Sequence, residues 1–175
     1  MTRIFLIGYM GAGKTTLGKA LAHELNLSFV DLDWYTEERY HKSINALFNE
    51  LGESKFRELE KKMLHEVSEF EEVIISTGGG TPCFFDNMEF MNSNGDTVYL
   101  NVSQEVLFLR LQLAKASRPL LRDKSDQELR AFIAEALNKR EPCYKQARFI
   151  VNADELDDLK QISSAVKHLQ KILGF

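Results

Sequence analysis

Near the start of this 175-residue chain, glycines gather around a lysine and a threonine in Gly8-Tyr9-Met10-Gly11-Ala12-Gly13-Lys14-Thr15. The run fits G-x-x-x-x-G-K-[ST], the pattern of a phosphate-binding loop. Glycines let the backbone curl until successive N–H groups face one anion. Lys14 adds a point charge for β- and γ-phosphates, and the Thr15 hydroxyl suits Mg²⁺. The competing account is a glycine-rich turn that matches by chance. Against it stand the apolar run Ile4-Phe5-Leu6-Ile7 just before and the spacing of Leu17, Leu21 and Leu25 just after. These supply the strand and the helix such a loop requires, and the helix adds the positive end of its dipole. A phosphate loop leaves kinase, GTPase, motor and regulatory switch open. The chain carries no Asn-Lys-x-Asp guanine-reading motif and is short for a motor domain, which puts a small kinase first.

Asp31 and Asp33 flank Leu32 at the end of a second apolar run. In an extended chain residues two apart point to the same side. One carboxylate would then face Mg²⁺ through water while the other meets a substrate hydroxyl; a solvated pair ending a strand is the alternative. Arg57 has Glu60 three positions on, close enough on a helix to hold a guanidinium, or to form an ordinary exposed ion pair. Arg140 follows Ile133, Ala136 and Leu137 by seven, four and three, so it falls beside their apolar stripe. It either turns inward to bind a carboxylate or phosphate in its planar fork, or snorkels to the surface. Arg118, before Pro119, sits in an irregular segment where it either closes over a transferring phosphate or is one surface charge. Gly78-Gly79-Gly80 ends a third apolar run, allowing close approach to a ligand or a flexible turn.

The elements that must position these residues alternate. Apolar runs at 4–7, 29–30, 73–75, 97–102 and 149–151 predict strands. Helical spacing follows the phosphate loop and recurs at 54–70 (Phe56, Leu59, Met63, Val67, Phe70), 126–140 and about 156–173 (Leu156, Leu159, Ile162, Val166, Leu169, Leu173). Strand–helix alternation with short apolar strands predicts one α/β domain over 1–175, its parallel sheet covered on both faces. The segments 80–96 and 115–125 look least regular. With 44% apolar residues and a net charge of −4, the chain can build a core and lacks the basic excess of a nucleic-acid binder. Cys83 and Cys143 lie far apart and match no zinc or redox spacing, so two reduced thiols are expected. The four histidines are scattered. The N-terminal run is too short for a signal peptide and no apolar stretch is long enough for a bilayer, so a cytoplasmic enzyme is expected.

Together these residues resemble the shikimate kinase family. Its order is a phosphate loop GxMGAGK[ST]T, then D-x-D, GE-x-x-FR-x-x-E, a triple glycine, RPLL, and an arginine followed by a tyrosine. Here stand Gly8 to Thr16, Asp31-Leu32-Asp33, Gly52-Glu53-Ser54-Lys55-Phe56-Arg57-Glu58-Leu59-Glu60, Gly78-Gly79-Gly80, Arg118-Pro119-Leu120-Leu121 and Arg140-Glu141-Pro142-Cys143-Tyr144, over roughly residues 4–145. The resemblance implies a P-loop kinase of the nucleoside monophosphate kinase type, a five-stranded parallel sheet flanked by helices. It implies transfer of the γ-phosphate of MgATP to the 3-hydroxyl of shikimate, with ATP and Mg²⁺ required and a monomer expected. Gly11, Ala12, Gly13, Lys14, Thr15, Thr16, Arg110 and Arg118 would hold the nucleotide, Arg110 packing on adenine. Thr15 and Asp31 would hold Mg²⁺. Asp33, Arg57, Gly78, Gly79, Gly80 and Arg140 would bind shikimate, the two arginines on its carboxylate. Lys14, Asp33 and Arg118 would be catalytic. The same resemblance implies a substrate-binding segment at about 32–60 and a lid at about 112–124. Two places depart from the family pattern: His41 stands where glycine is common, and Trp34-Tyr35-Thr36 replaces the usual aliphatic choice. Rival readings are a gluconokinase or nucleoside monophosphate kinase, or a nucleotide-binding module without catalysis.

Overall fold

The computed structural model describes residues 2–118 and 120–175, so Pro119 lies outside the described residues. Five strands, β1 (Arg3–Ile7), β2 (Ser28–Asp31), β3 (Val73–Ser76), β4 (Asp96–Asn101) and β5 (Phe149–Asn152), form one sheet in the order β2-β3-β1-β4-β5. Every pairing is parallel. The central strands β1 and β3 are buried throughout, as expected where helices cover both faces of a parallel sheet. Among the described residues seven helices do the covering: α1 (Lys14–Leu25), α2 (Leu32–Tyr40), α3 (Ile44–Val67), α4 (Asn87–Asn94), α5 (Gln104–Leu113), α6 (Asp126–Tyr144) and α7 (Leu159–Leu173). This is the five-stranded parallel α/β fold expected from the alternation.

The strand order decides where the chemistry gathers. Because β1 and β3 are neighbours, with Leu6 opposite Ser76, the phosphate loop and the triple glycine leave the sheet side by side. Thr77 fastens them, its backbone N–H and its hydroxyl both donating to the Leu6 carbonyl. Asp31 lies opposite Ser76 on the other side, so β2 ends at the same edge. The carboxyl edge of an open parallel sheet is where such folds bind ligands.

Several expected boundaries move. The helix expected at 54–70 begins at Ile44 and ends at Val67, and Gly52 interrupts it with φ 76° and ψ 166°. Phe70 therefore lies beyond the helix and is exposed. The last helix starts at Leu159, capped by the Asp158 carboxylate on the Gln161 N–H. Leu159 is 85% exposed and Leu156 is buried before the helix, so these two do not belong to its stripe as expected. Asp158 stops the helix from reaching back to Leu156. The stretch 80–96 is more regular than expected, holding a 3-10 turn (Thr81–Cys83) and α4. His41 ends α2 in the left-handed region, at φ 52°, which accounts for a preference for glycine at that position.

Candidate active site

Met10, Lys14, Thr15, Asp31, Asp33, Gly78, Gly79, Arg110 and Arg118 line a cleft of about 610 Å³ at the carboxyl edge of the sheet. Gly11, Gly13 and Thr16 join them, while Ala12 is buried behind the loop. Lys14 opens α1 and is buried. Its Nζ donates to the Gly8 and Tyr9 carbonyls at 2.8 and 2.9 Å, fixing the ammonium inside the loop. Burial pulls its pKa down to about 8, with Asp33 and Asp31 opposing. Gly13 has φ 92°, and a methyl group there would lie 2.7 Å from Leu156 Cδ1, so neither side chain nor ordinary backbone would fit. Leu156 thus walls the phosphate loop rather than joining α7.

The aspartates share the cleft for a different reason from strand alternation. Only Asp31 ends β2; Asp33 already belongs to the first turn of α2. Asp31 caps α2, accepting from the N–H groups of Asp33 and Trp34. Its other oxygen accepts from Thr15 Oγ1 at 2.9 Å. That oxygen pair, beside a lysine-bearing phosphate loop, fits a hard cation such as Mg²⁺ bound together with nucleotide phosphates. Asp33 is open to solvent along the cleft, yet protein hems in its carboxylate. Desolvation first, then the charges of Asp31 and Glu60, push its pKa up to about 6.

Beyond Asp33 the triple glycine forms a floor with a charged side chain against each residue, Gly78 also meeting Thr81 and Glu60. A methyl group on Gly78 would lie 3.1 Å from Asp33 Oδ1, on Gly79 3.4 Å from Arg140 Nη1, and on Gly80 2.8 Å from Arg57 Nη1. Asp33, Arg57 and Arg140 are therefore brought together on one glycine surface, although Arg57, Gly80 and Arg140 stand beyond the lining of the main cleft. Arg57 is not an exposed pair: it and Glu60 are largely buried, with Nη1 2.9 Å from Glu60 Oε2. Its guanidinium stacks 4.1 Å from the Phe84 ring centre. Glu60 also accepts from Thr81 Oγ1 at 2.6 Å, tying the arginine to the turn after the glycines. Arg140 turns inward and does not snorkel; its Cζ lies 5.6 Å from the Tyr9 ring centre. Two guanidiniums and a carboxylate on a glycine floor suit a small hydroxylated anion.

At the opposite end of the cleft Arg110 donates to the Ala153 and Asp154 carbonyls at 3.0 and 2.8 Å, joining α5 to the loop after β5. Asp157 stands beside it and also lines the cleft. Arg118 reaches the cleft from the segment after the 3-10 turn Lys115–Ser117. Sequence reasoning missed Tyr9, Thr81, Leu156 and Asp157. It quoted Tyr144 without a role; that phenol is fully buried and donates to the Gly79 carbonyl, holding the end of α6 on the glycine floor. Periodicity marks only Leu156, and assigns it to the last helix; the others act through contacts between distant segments that leave no period.

A model of the shikimate kinase family matches residues 10–170. The chain is 65% identical to a shikimate kinase from Phocaeicola vulgatus over 99% of each chain. It is similar to the crystal structure of a shikimate kinase from Bacteroides thetaiotaomicron, with a TM-score of 0.98 and 63% identity over 99% of each chain. A shikimate kinase from Acinetobacter baumannii in complex with shikimate has a TM-score of 0.84 at 33% identity, covering 99% of this chain and 94% of the other.

Proposed function

The chain belongs to the shikimate kinase family, and from that premise we propose how its own residues phosphorylate the 3-hydroxyl of shikimate with MgATP. Arg57 and Arg140 take the carboxylate of shikimate, Asp33 its ring hydroxyls, and Gly78, Gly79 and Gly80 let the ring lie close to the backbone. The phosphate loop, Gly11 to Thr16, takes the nucleotide phosphates, and Arg110 packs on adenine. Thr15 and Asp31 would hold Mg²⁺, which would supply positive charge to the phosphate oxygens. The 3-hydroxyl oxygen attacks the γ-phosphorus, the bond to the bridging oxygen breaks, and ADP leaves with that bond's electrons. Asp33 orients the hydroxyl and accepts its proton. The transition state is loose, so positioning and charge neutralisation by Lys14 and Arg118 do most of the work. The segment about 32–60 serves as the substrate-binding part and about 112–124 as the lid, in a monomeric cytoplasmic enzyme.

The observation that carries this reading is the convergence of Asp33, Arg57 and Arg140 on three consecutive glycines. Among the described residues no helix is long and apolar enough to cross a membrane. A coupled ADP-release assay across shikimate, gluconate and AMP tests the acceptor. Turnover with shikimate is expected, and Arg57→Ala or Arg140→Ala should each raise KM for shikimate by about 1.5–3 kcal/mol, the worth of a charged hydrogen bond. Normal shikimate kinetics in both variants would refute the clamp.

A further inference from the structure

The two cysteines are distant in sequence but neighbours in the fold. Cys83 closes the 3-10 turn that follows the glycine floor, and Cys143 lies in the last turn of α6, three residues after Arg140. Their contacts cross: Cys143 Sγ donates to the Pro82 carbonyl at 2.8 Å, and Cys83 Sγ lies 4.0 Å from the Arg140 carbonyl. Each thiol thus touches the backbone beside the other cysteine or one turn before it. Both are half-buried, so small reagents can reach them.

We infer that Cys83 and Cys143 form a dithiol modification site, which a two-electron oxidant such as a peroxide converts to an intramolecular disulfide. The Cys143 sulfur attacks one peroxide oxygen as its thiolate; the O–O bond breaks, water leaves, and a sulfenic acid remains. The Cys83 sulfur then attacks the Cys143 sulfur, displacing the oxygen as a second water. Two thiols and one hydrogen peroxide give one disulfide and two waters. The order follows from the pair: the thiol of Cys83 hydrogen-bonds to Cys143 and holds the pKa of Cys143 below the usual cysteine value, while that bond and burial raise Cys83.

The disulfide has a consequence for the proposed shikimate site and, in that part, rests on the functional reading above. An S–S bond is about 2.05 Å long, well inside the contact distance of two thiols. Closing it ties the turn after Gly80 to the end of α6 and obliges both sulfurs to leave their present carbonyl contacts. Gly80 abuts Arg57, and Arg140 sits one helical turn from Cys143. A displacement of about 1 Å at a positioning group can cost up to about 100-fold. Oxidation should therefore raise KM for shikimate about tenfold or more, with KM for ATP unchanged within about twofold, because the phosphate loop is fastened to β3 separately through Thr77.

The full-length protein is treated with hydrogen peroxide and analysed by intact mass and peptide mapping, beside Cys83→Ser and Cys143→Ser. A loss of two hydrogens, with a peptide joining Cys83 to Cys143 that dithiothreitol cleaves, is expected in the parent and in neither variant. Sulfinic or sulfonic acids without the cross-link, or cross-linking only between molecules, would overturn the site. With the disulfide formed, an unchanged KM for shikimate would overturn its kinetic consequence. The mass readout needs no activity, so a protein that oxidises as expected but does not phosphorylate shikimate would refute the functional reading and leave the thiol site standing.

Discussion

Adding one methyl group at Gly80 should press first on Arg57, whose guanidinium supplies the three nearest atoms. Gly80 has φ −89° and ψ −24°, a conformation open to alanine, so backbone strain does not enter. The new carbon would sit 2.8, 2.9 and 3.1 Å from Arg57 Nη1, Nη2 and Cζ. Favourable contact needs about 3.5–4.0 Å, so the guanidinium must retreat by roughly 0.7 Å or more. Its freedom is small, since Nη1 is bonded to Glu60 at 2.9 Å and the group lies 4.1 Å from the Phe84 ring centre. Glu60 is held in turn by Thr81. The retreat breaks one charged hydrogen bond, to Glu60 or to the substrate carboxylate, at about 1.5–3 kcal/mol. That is a rise of about 10- to 150-fold in KM for shikimate at 1.36 kcal/mol per tenfold. Gly79→Ala is the comparison: its methyl would meet Arg140 Nη1 at 3.4 Å and its other nearest atoms at 3.5 Å, so a rise in KM there comes from crowding the shikimate ring and not from a displaced arginine. Both variants are assayed by coupled ADP release, varying shikimate and ATP separately. A folded Gly80→Ala enzyme with KM for shikimate within about twofold of the parent would refute the placement of Arg57.

Two further outcomes concern pH. Asp33 has a folded-state pKa of about 6, above the unfolded value near 3.9, so its ionised carboxylate destabilises the fold above that pH. Asp33→Asn should therefore raise Tm at pH 7.5 while abolishing turnover, and the gain should shrink as pH falls from about 6 and vanish below the unfolded value near 3.9, where Asp33 is neutral in both states. An unchanged or lower Tm at pH 7.5 would show that Asp33 is not held at an electrostatic cost. Lys14 loses its proton near pH 8, so kcat/KM for ATP should fall above that value, since this ratio reports the free enzyme. A profile flat to pH 9.5 would mean that the lysine stays fully charged.

Read on its own, the sequence determined the phosphate loop, the five strands and the order of the motifs. A strand ending in glycine before an amphipathic helix is a local pattern, and apolar runs of two to six residues mark the strands, those of β1 and β3 being buried throughout. The aspartates were legible as a pair but not in their geometry, because the end of β2 and the start of α2 fall between them and Asp31 caps the helix. Only the tertiary structure decided that Arg57 and Arg140 face one floor. Spacing on a helix says which side a residue occupies, whereas the neighbour on that side depends on strand order. With β3 beside β1, Gly78-Gly79-Gly80 comes to lie against the phosphate loop, and α3 and α6 deliver their arginines to Gly80 and Gly79. The same packing joins Cys83 to Cys143, which no spacing rule could relate, because contacts between distant segments arise from the folded chain and leave no period in the sequence.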